Sequence, residues 1–366
     1  MSSAGTDIPC VNITVDPNEA KTGALEIIKH LRPEWLLDKV ELRTFTEGIT
    51  NFLCGVFLDG LPNDTVMVRI YGEKTDLIID REVEMKNMRL LHAAGCGPPL
   101  YCTFNNGICY AYLPGVPLDE QMVRDNHISR LIAREMAKLH SIPLETVQSF
   151  MGTEKASAVN PQPCLWVKIQ KYLDLVPQSF ADPQKQQRYM KHIKPKAELQ
   201  KELNEMRSCL EGLDSPVVFC HNDLLCKNII YNKQYDTVSC IDYEYGALNY
   251  EAFDIGNHFC EYAGIDEVDY TRYPDKAYQL SWLKMYLEYC KQATGKPDTP
   301  ITDTQLERLY VQVNKFSLMA HMFWGFWALI QSDVSAIDFD YLGYAITRLN
   351  EYFARKEKCL ALKLPH

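Results

Sequence analysis

The acidic and amide side chains between residues 217 and 261 have the types and spacing that phosphoryl transfer requires. Asp223 is followed five residues later by Asn228, and Asp242 follows a later apolar run. Phosphoryl transfer needs a group that orients the attacking hydroxyl and ligands that hold a metal ion against the phosphates. An aspartate, an asparagine and a second aspartate after short strands supply both. We therefore predict a metal-dependent phosphoryl-transfer centre in residues 217–261, which we call the central stretch.

Each polar residue of the central stretch has a predicted role. Asp223 would accept the substrate hydroxyl proton, or orient that hydroxyl towards the transferred phosphate. Asn228 would offer a neutral amide oxygen to Mg²⁺ and Asp242 the main carboxylate, because Mg²⁺ prefers hard oxygen ligands. Glu244 would face the same side as Asp242 if the strand continued, since side chains alternate along a strand. His221 would hold the loop by hydrogen bonds.

The first third of the sequence predicts a small sheet with one main helix. Its alternating apolar runs and Asn-Gly turn indicate helix 19–31, strands 40–46, 52–58 and 65–71, helix 77–94, and a hairpin of strands 100–104 and 108–113. This is the order of elements in the small lobe of a kinase. Arg69 would meet nucleotide phosphates and Glu84 would orient it, the alternative for both being solvated surface charges. The turn 46–51 would cover the phosphates or simply join two strands.

The remainder is predicted to be mainly helical. Apolar residues at helical spacing indicate helices over 127–140, 165–176, 197–210, 276–293, 304–330 and 339–358, around short strands at 217–220, 229–231 and 238–241. Residues 141–164 are expected to form a loop. Trp324 and Trp327 share one helix face, where an aromatic pair belongs to a core more often than to a ligand cage.

These elements define the predicted fold class, which is α+β. We expect a two-lobed, protein-kinase-like fold, with a small sheet lobe that carries one main helix and a larger, mostly helical lobe. Three segments are predicted: a flexible leader over 1–18, a nucleotide-binding lobe over 19–113, and a catalytic and substrate-binding lobe over 114–366.

Composition narrows the class of protein. The chain has 366 residues, 46% of them apolar, and a formal net charge of −10. This charge argues against nucleic acid and anionic membranes as partners and mildly favours a cationic substrate. The 13 cysteines lack any C-x-x-C spacing, so reduced thiols in the cytoplasm are expected. No signal peptide opens the sequence, and its most apolar helix, 316–330, is too short for stable membrane insertion.

Several motifs resemble the choline/ethanolamine kinase family. They are C-H-N-D-L-L-C-K-N-I-I-Y in the central stretch, V-R-I-Y-G-E-K-T near the third strand, and H-M-F-W-G-F-W-A-L-I in the tryptophan helix. The likeness extends from about residue 42 to the C-terminus and is strongest to the ethanolamine-specific members. It implies a kinase-like fold, ATP and Mg²⁺ as cofactors, and phosphorylation of ethanolamine at the start of the CDP-ethanolamine route to phosphatidylethanolamine.

The resemblance also implies roles for individual residues. Asp223 matches the catalytic base, and Asn228 and Asp242 match the metal ligands. The nucleotide-binding positions are Thr50 and Asn51 of the loop, Arg69 with Glu84, and Ala111 and Leu113 beside the adenine. The amine-pocket positions are Glu244, Asp254, Asn257, Glu261, Trp324, Trp327, Asp338 and Tyr344. For Asp254 and Asn257, bracing of the loop is the alternative.

The residues after Glu261 favour ethanolamine over choline. Choline kinases carry more aromatic residues there, whereas this chain has Y-A-G-I-D-E-V-D. A quaternary ammonium relies on aromatic faces, whereas a primary ammonium donates three hydrogen bonds and suits carboxylates. A choline or dual-specificity kinase remains the alternative, followed by a catalytically inactive nucleotide-binding scaffold. An aminoglycoside phosphotransferase would not explain the W-G-F-W motif, and a homodimer is left open.

Overall fold

The computed structural model describes residues 8–45, 51–61, 64–72, 80–152, 161–335 and 337–365, and only the backbone of Asn51. The chain forms two compact units. The first comprises residues 1–116 with 232–234, and the second comprises residues 117–231 and 235–366. The division falls three residues beyond the predicted lobe boundary at 113.

In its described residues, the first unit is a six-stranded sheet with two α-helices. The sheet has the order β1-β5-β6-β4-β3-β2 and is antiparallel except for the β1–β5 pair. Helix α1 packs on β3 and β5 through Ile27 and Ile28, which join the apolar core of the sheet. The elements are β1 (Cys10–Val11), α1 (Ala20–Leu31), β2 (Val40–Phe45), β3 (Asn51–Leu58), β4 (Val66–Tyr71), α2 (Arg81–Ala93), β5 (Leu100–Phe104) and β6 (Gly107–Ala111).

Strand β4 lies in the middle of this sheet, and its residues Val66 to Ile70 are all buried. The sequence alternation predicted one face with Val66, Val68 and Ile70 and another with Met67 and Arg69. Both faces are covered, so Arg69 lies in the interior. Helix α2 begins after Asp80, whose carboxylate caps it by accepting the Glu82 and Val83 amides. The predicted start at 77 lies outside the described residues.

The prediction of a flexible leader is wrong for residues 10–18, which are attached to the sheet. Cys10 and Val11 form β1, which pairs in parallel with β5. Val15 is buried, and its backbone exchanges two hydrogen bonds with the Asn106 side chain, at 2.9 Å for the amide and 2.8 Å for the carbonyl. The hairpin asparagine thus substitutes for a strand partner, which fixes the segment to the sheet.

The second unit is mainly helical and is built around two buried helices, α8 and α10. Gly256 of α8 lies so close to α10 that a Cβ there would stand 2.8 Å from the Val313 carbonyl oxygen. The helices are α3 (Asn126–His140), α4 (Leu144–Met151), α5 (Leu165–Leu175), α6 (Pro183–His192), α7 (Lys196–Glu211), α8 (Glu251–Cys260), α9 (Lys276–Ala293), α10 (Asp303–Val334) and α11 (Tyr341–Leu360).

Short strands carry the central stretch. Strand β8 (Val217–Cys220) pairs with β11 (Ala247–Tyr250), and β9 (Ile229–Asn232) pairs with β10 (Thr237–Cys240). A further two-residue strand, β7 (Val116–Pro117), lies at the division between the units. The ends of the three predicted strands therefore differ from those observed by at most one residue, whereas β11 was not predicted.

Three helices, α4, α6 and α8, were not predicted from the sequence. Residues 144–151, expected to lie in a loop, form α4, which is anchored by the buried Val147 and closed by Gly152 in the left-handed conformation. Helix α6 was not predicted, because few of its side chains are apolar. Within the described ranges, every helix is too short or too polar to serve as a transmembrane span.

Candidate active site

The loop after β8 is held from behind by Asp254 of α8. One carboxylate oxygen of Asp254 accepts the His221 amide at 2.9 Å and also the His140 ring at 2.9 Å, and the other accepts the Asn222 amide at 2.7 Å. Burial acts to raise the pKa of the Asp254 carboxyl, but these hydrogen bonds outweigh it and leave that pKa below its ordinary value. With both oxygens engaged and no exposed surface, Asp254 fits the bracing alternative better than substrate contact.

His221 and Asn222 fix the shape of this loop. His221 donates from Nε2 to the Ile241 carbonyl at 2.9 Å, and its Nδ1 accepts the Asp223 amide at 3.3 Å. Burial lowers the pKa of His221, so the ring is neutral and holds the loop as predicted. Asn222 adopts the left-handed backbone conformation with φ of 67°. Its side chain donates to the Tyr245 carbonyl and accepts from Asn249.

Asn257 connects the loop to the tryptophan helix. Its Nδ2 donates to the Asn222 carbonyl at 3.4 Å, and its Oδ1 accepts the Trp324 indole N–H at 2.8 Å. Asn257 is fully buried. Like Asp254, it fits the bracing alternative, and it orients Trp324 relative to the loop.

Of the three predicted catalytic residues, Asp223 and Asn228 lie between β8 and β9, and Asp242 lies after β10. Asn228 ends a 3-10 turn and donates from Nδ2 to the Asp223 carbonyl at 2.9 Å and carboxylate at 3.4 Å. Strand β10 ends at Cys240, and Asp242 follows with φ of 64° before a 3-10 turn over Tyr243–Tyr245. The strand does not continue, so the turn, rather than strand alternation, positions Glu244.

Acidic side chains surround Asp223. Its pKa is well above the ordinary value, first because of burial and then because of the negative charges of Glu261, Asp242 and Glu244, while Arg348 opposes the rise. These carboxylates repel one another, and a bound cation would relieve that repulsion. The group is therefore suited to bind a cation. The donor set also fits Mg²⁺: Asn228 uses its amide nitrogen within the loop, which leaves its carbonyl oxygen for a ligand, and Asp242 is a carboxylate.

Aromatic rings form a cluster beside this acidic group. Trp324 packs edge-to-face on Tyr245 with ring centres 5.2 Å apart and on Trp327 at 5.6 Å. Trp327 contacts Tyr341 at 5.8 Å and remains half-buried, whereas Trp324 is buried. The negative charges of Glu244 and Asp223 contribute to the raised pKa of Tyr245. Trp324 therefore combines core packing with a contact to Tyr245 beside the acidic group, and Trp327 joins this cluster through Trp324.

Glu261 and Tyr344 are both hydrogen-bonded to Arg348, a residue that the sequence analysis did not identify. Arg348 of α11 donates from Nη1 to Glu261 Oε1 at 2.7 Å and to the Tyr344 hydroxyl at 3.2 Å. A signal was available, because Tyr344 and Arg348 are four residues apart on one helix face. Tyr245, two residues after the I-D-Y motif, was also missed. Asp338 is exposed between α10 and α11 and is not brought to this group by any described contact.

The first unit holds the predicted nucleotide-binding residues. Arg69 and Glu84 form an ion pair of 2.9 Å and are only 6% and 1% exposed, which excludes the surface-charge alternative. Arg81 binds the second oxygen of Glu84 at 2.9 Å. The Ala111 amide donates to the Pro99 carbonyl at 3.0 Å, and Leu113 is half-buried. Thr50 and the side chain of Asn51 lie outside the described residues.

The fold defines a phosphotransferase of the protein-kinase-like class, as predicted. An ethanolamine kinase structure from Plasmodium vivax is 28% identical to this chain, with a TM-score of 0.78 over 93% of this chain and 90% of that one. A choline kinase structure from Cryptosporidium parvum is 22% identical and has a TM-score of 0.70 over 92% of this chain and 96% of that one.

The sequence comparisons identify the family. The family model of choline/ethanolamine kinases matches residues 42–353. Ethanolamine kinase 1 of Homo sapiens is 47% identical over 362 residues, which are 98% of this chain and 77% of the human protein. The chain belongs to the choline/ethanolamine kinase family, which confirms the resemblance seen in its motifs.

Proposed function

We propose that this protein transfers the γ-phosphate of ATP to the hydroxyl of ethanolamine and so forms phosphoethanolamine. The observation that carries the proposal is the acidic group of Asp223, Glu244 and Glu261 beside Tyr245 and Trp324. Similarity to ethanolamine kinases over nearly the whole chain supports the same substrate. The reaction would be the first step of the CDP-ethanolamine route to phosphatidylethanolamine.

Asp223 is the proposed catalytic base. Its raised pKa suits a group that takes up the hydroxyl proton as phosphoryl transfer proceeds. Its backbone is fixed by the His221 ring and its carboxylate by Asn228. Asn228 and Asp242 would hold Mg²⁺, which supplies neutralisation of phosphate charge when bound.

The first unit is the proposed nucleotide-binding lobe. The buried pair of Arg69 and Glu84 supports a phosphate contact, because Glu84 and the surrounding sheet hold the guanidinium in one orientation. The loop residues Thr50 and Asn51 remain predicted phosphate contacts. Ala111 and Leu113 remain predicted adenine contacts, and the engaged amide of Ala111 directs that prediction to other backbone atoms.

The amine pocket is proposed to combine acids with aromatic walls. A primary ammonium donates three hydrogen bonds, and Glu244 and Glu261 are the acceptors we assign to it. Trp324, Trp327 and Tyr344 would supply the walls. Asp338 stays a prediction, as do a cytoplasmic location and homodimer formation.

The test is an assay of the purified protein with Mg-ATP and, separately, ethanolamine, choline and an aminoglycoside. We expect the highest kcat/KM for ethanolamine. Equal or faster turnover of choline would identify the alternative, a choline or dual-specificity kinase. Absence of turnover with all three, in a protein that still binds ATP, would favour the scaffold.

A further inference from the structure

Arg348 is a buried charged side chain near the acidic group. It is 1% exposed and projects from α11 into the interior of the second unit, where Glu261 is 4% exposed. A buried guanidinium is costly unless its N–H groups have acceptors. The two terminal nitrogens of Arg348 have acceptors: Glu261 and Tyr344 accept from Nη1, and the Ala320 carbonyl accepts from Nη2 at 3.2 Å. Its Nε has no acceptor among the described residues.

These three acceptors belong to three different elements. Glu261 follows α8, Ala320 lies one turn before Trp324 on α10, and Tyr344 lies on α11 itself. A single planar guanidinium therefore ties together the carboxylate, the phenol and the helix turn that carry three predicted amine-pocket residues. A planar fork with fixed N–H directions is suited to this task, whereas a lysine ammonium is not.

We propose that Arg348 is a positioning residue that sets amine selectivity, by holding the Glu261 carboxylate with its second oxygen turned towards the substrate nitrogen. Oε1 is bound to Arg348, and Oε2 is the atom we assign to accept a substrate N–H. Without the guanidinium, the carboxylate would lose the contact that fixes its orientation. The inference rests on the proposed function, because it assumes an amine in this pocket.

The proposal makes the contribution of Arg348 depend on the number of substrate N–H groups. The cationic nitrogens of ethanolamine, N-methylethanolamine, N,N-dimethylethanolamine and choline carry three, two, one and no N–H groups, respectively. An acceptor positioned by Arg348 favours the first most and cannot hydrogen-bond the last. A merely structural role would affect the four substrates alike.

The experiment measures kcat/KM for these four substrates in wild type, Arg348→Met and Arg348→Lys, together with KM for ATP. For Arg348→Met we expect ethanolamine kcat/KM to fall about 10- to 100-fold, the range for losing a hydrogen bond to a charged group. The loss should shrink with each added methyl and be smallest for choline, with KM for ATP little changed. Arg348→Lys should fall between, because it keeps the charge but not the fork.

Arg355→Met is the matched control. Arg355 lies on the same helix and is largely buried, but it packs 3.7 Å over the Tyr273 ring and binds Glu351 at 3.9 Å. It should leave the relative rates of the four substrates as in wild type. Glu261→Gln should show the same gradient as Arg348→Met, and together with Arg348→Lys it carries the test if Arg348→Met does not fold.

Equal losses for all four substrates in the Arg348 and Glu261 variants would overturn the inference. So would a gradient of the same size in Arg355→Met. If wild type itself turns over none of the four amines or prefers choline, the proposed function fails instead. The wild-type measurements therefore separate the two failures.

Discussion

Each unit of the protein contains a buried arginine–glutamate pair, and the two pairs are built in opposite ways. In the first unit, Glu84 is the centre, since it binds Arg69 and Arg81 with its two oxygens. In the second unit, Arg348 is the centre, since it binds Glu261, a phenol and a carbonyl. A carboxylate that aligns two guanidinium groups suits an anionic ligand such as phosphate, and a guanidinium that aligns a carboxylate suits a cationic one.

The charged residues around the second pair also favour a cationic ligand. In the second unit, burial and then the negative charges of Glu261, Asp242 and Glu244 raise the pKa of Asp223. Under the proposed function, the first unit would therefore bind the charge of the transferred phosphate, and the second would bind the substrate amine and the metal. Substitutions that disturb one ligand and spare the other test this division.

The largest effect is expected for Asp223→Asn. Removing the proposed base should lower kcat about 10³-fold, within the range for general base catalysis, while KM for ATP stays near wild type. The measurement is steady-state turnover with saturating Mg-ATP. Asp236→Asn is the control, because Asp236 also lies in the central stretch but is exposed and binds His127. A kcat near wild type in Asp223→Asn would exclude the base assignment.

Glu84→Gln should disturb the first unit alone. Breaking a buried pair by removing one partner costs about 3–5 kcal/mol of unfolding free energy, and KM for ATP should rise while KM for ethanolamine changes little. Urea unfolding and two-substrate kinetics measure these. Glu82→Gln on the same helix removes only an exposed pair with Lys86, worth at most about 1 kcal/mol. Parallel rises in both KM values would contradict the division.

Asp242→Asn tests the metal site without changing side-chain shape. Loss of one carboxylate charge should weaken Mg²⁺-dependent ATP binding at least about 10-fold, the lower range even for residues that only support a metal ligand. ATP titrations with and without Mg²⁺ measure the difference. Binding that responds to Mg²⁺ as in wild type would remove Asp242 from the set of ligands.

The last prediction concerns the pH dependence of stability at His258. This histidine is buried and forms no ion pair with the described residues. Burial lowers the pKa of His258 to about 4, while its Nδ1 donates to the Leu224 carbonyl at 3.0 Å. Between pH 6.5 and 4 the unfolded chain binds a proton there and the folded chain does not, so folded-state stability falls as the pH falls. From pH 7 to 5 this group should cost about 2 kcal/mol.

The check compares wild type with His258→Asn, which keeps a donor for Leu224. Urea unfolding at pH 7 and pH 5 should give a drop about 2 kcal/mol smaller in the variant than in wild type. An identical drop would show that His258 does not carry this part of the acid sensitivity.

The sequence predicted features whose signals are local. The central stretch carries its acids within one short segment, and β4 and α2 follow one another, so Arg69 and Glu84 could be paired in advance. Arg348 and Glu261 are separated by 87 positions, and no short motif links them. Strand β1 escaped prediction for the same reason, because its two residues pair with a strand far along the chain.

The prediction of secondary structure failed where the local composition was misleading. Proline and polar residues around α4 resembled a loop, although a proline before the first turn is compatible with a helix. The turn that follows β10 was not predicted. It needs a left-handed residue at Asp242, and an aspartate can adopt that conformation without a glycine to signal the turn.

The left-handed backbone at Asn222 and Asp242 restricts how this enzyme can change over evolutionary time. Asparagine, aspartate and glycine tolerate that conformation, whereas β-branched residues are rejected on steric grounds. At Asp242 a single base change exchanges aspartate for asparagine, which keeps the turn but removes a charge. On the proposed role of Asp242 as a metal ligand, a duplicated gene could therefore lose catalysis in one step and still encode a folded protein.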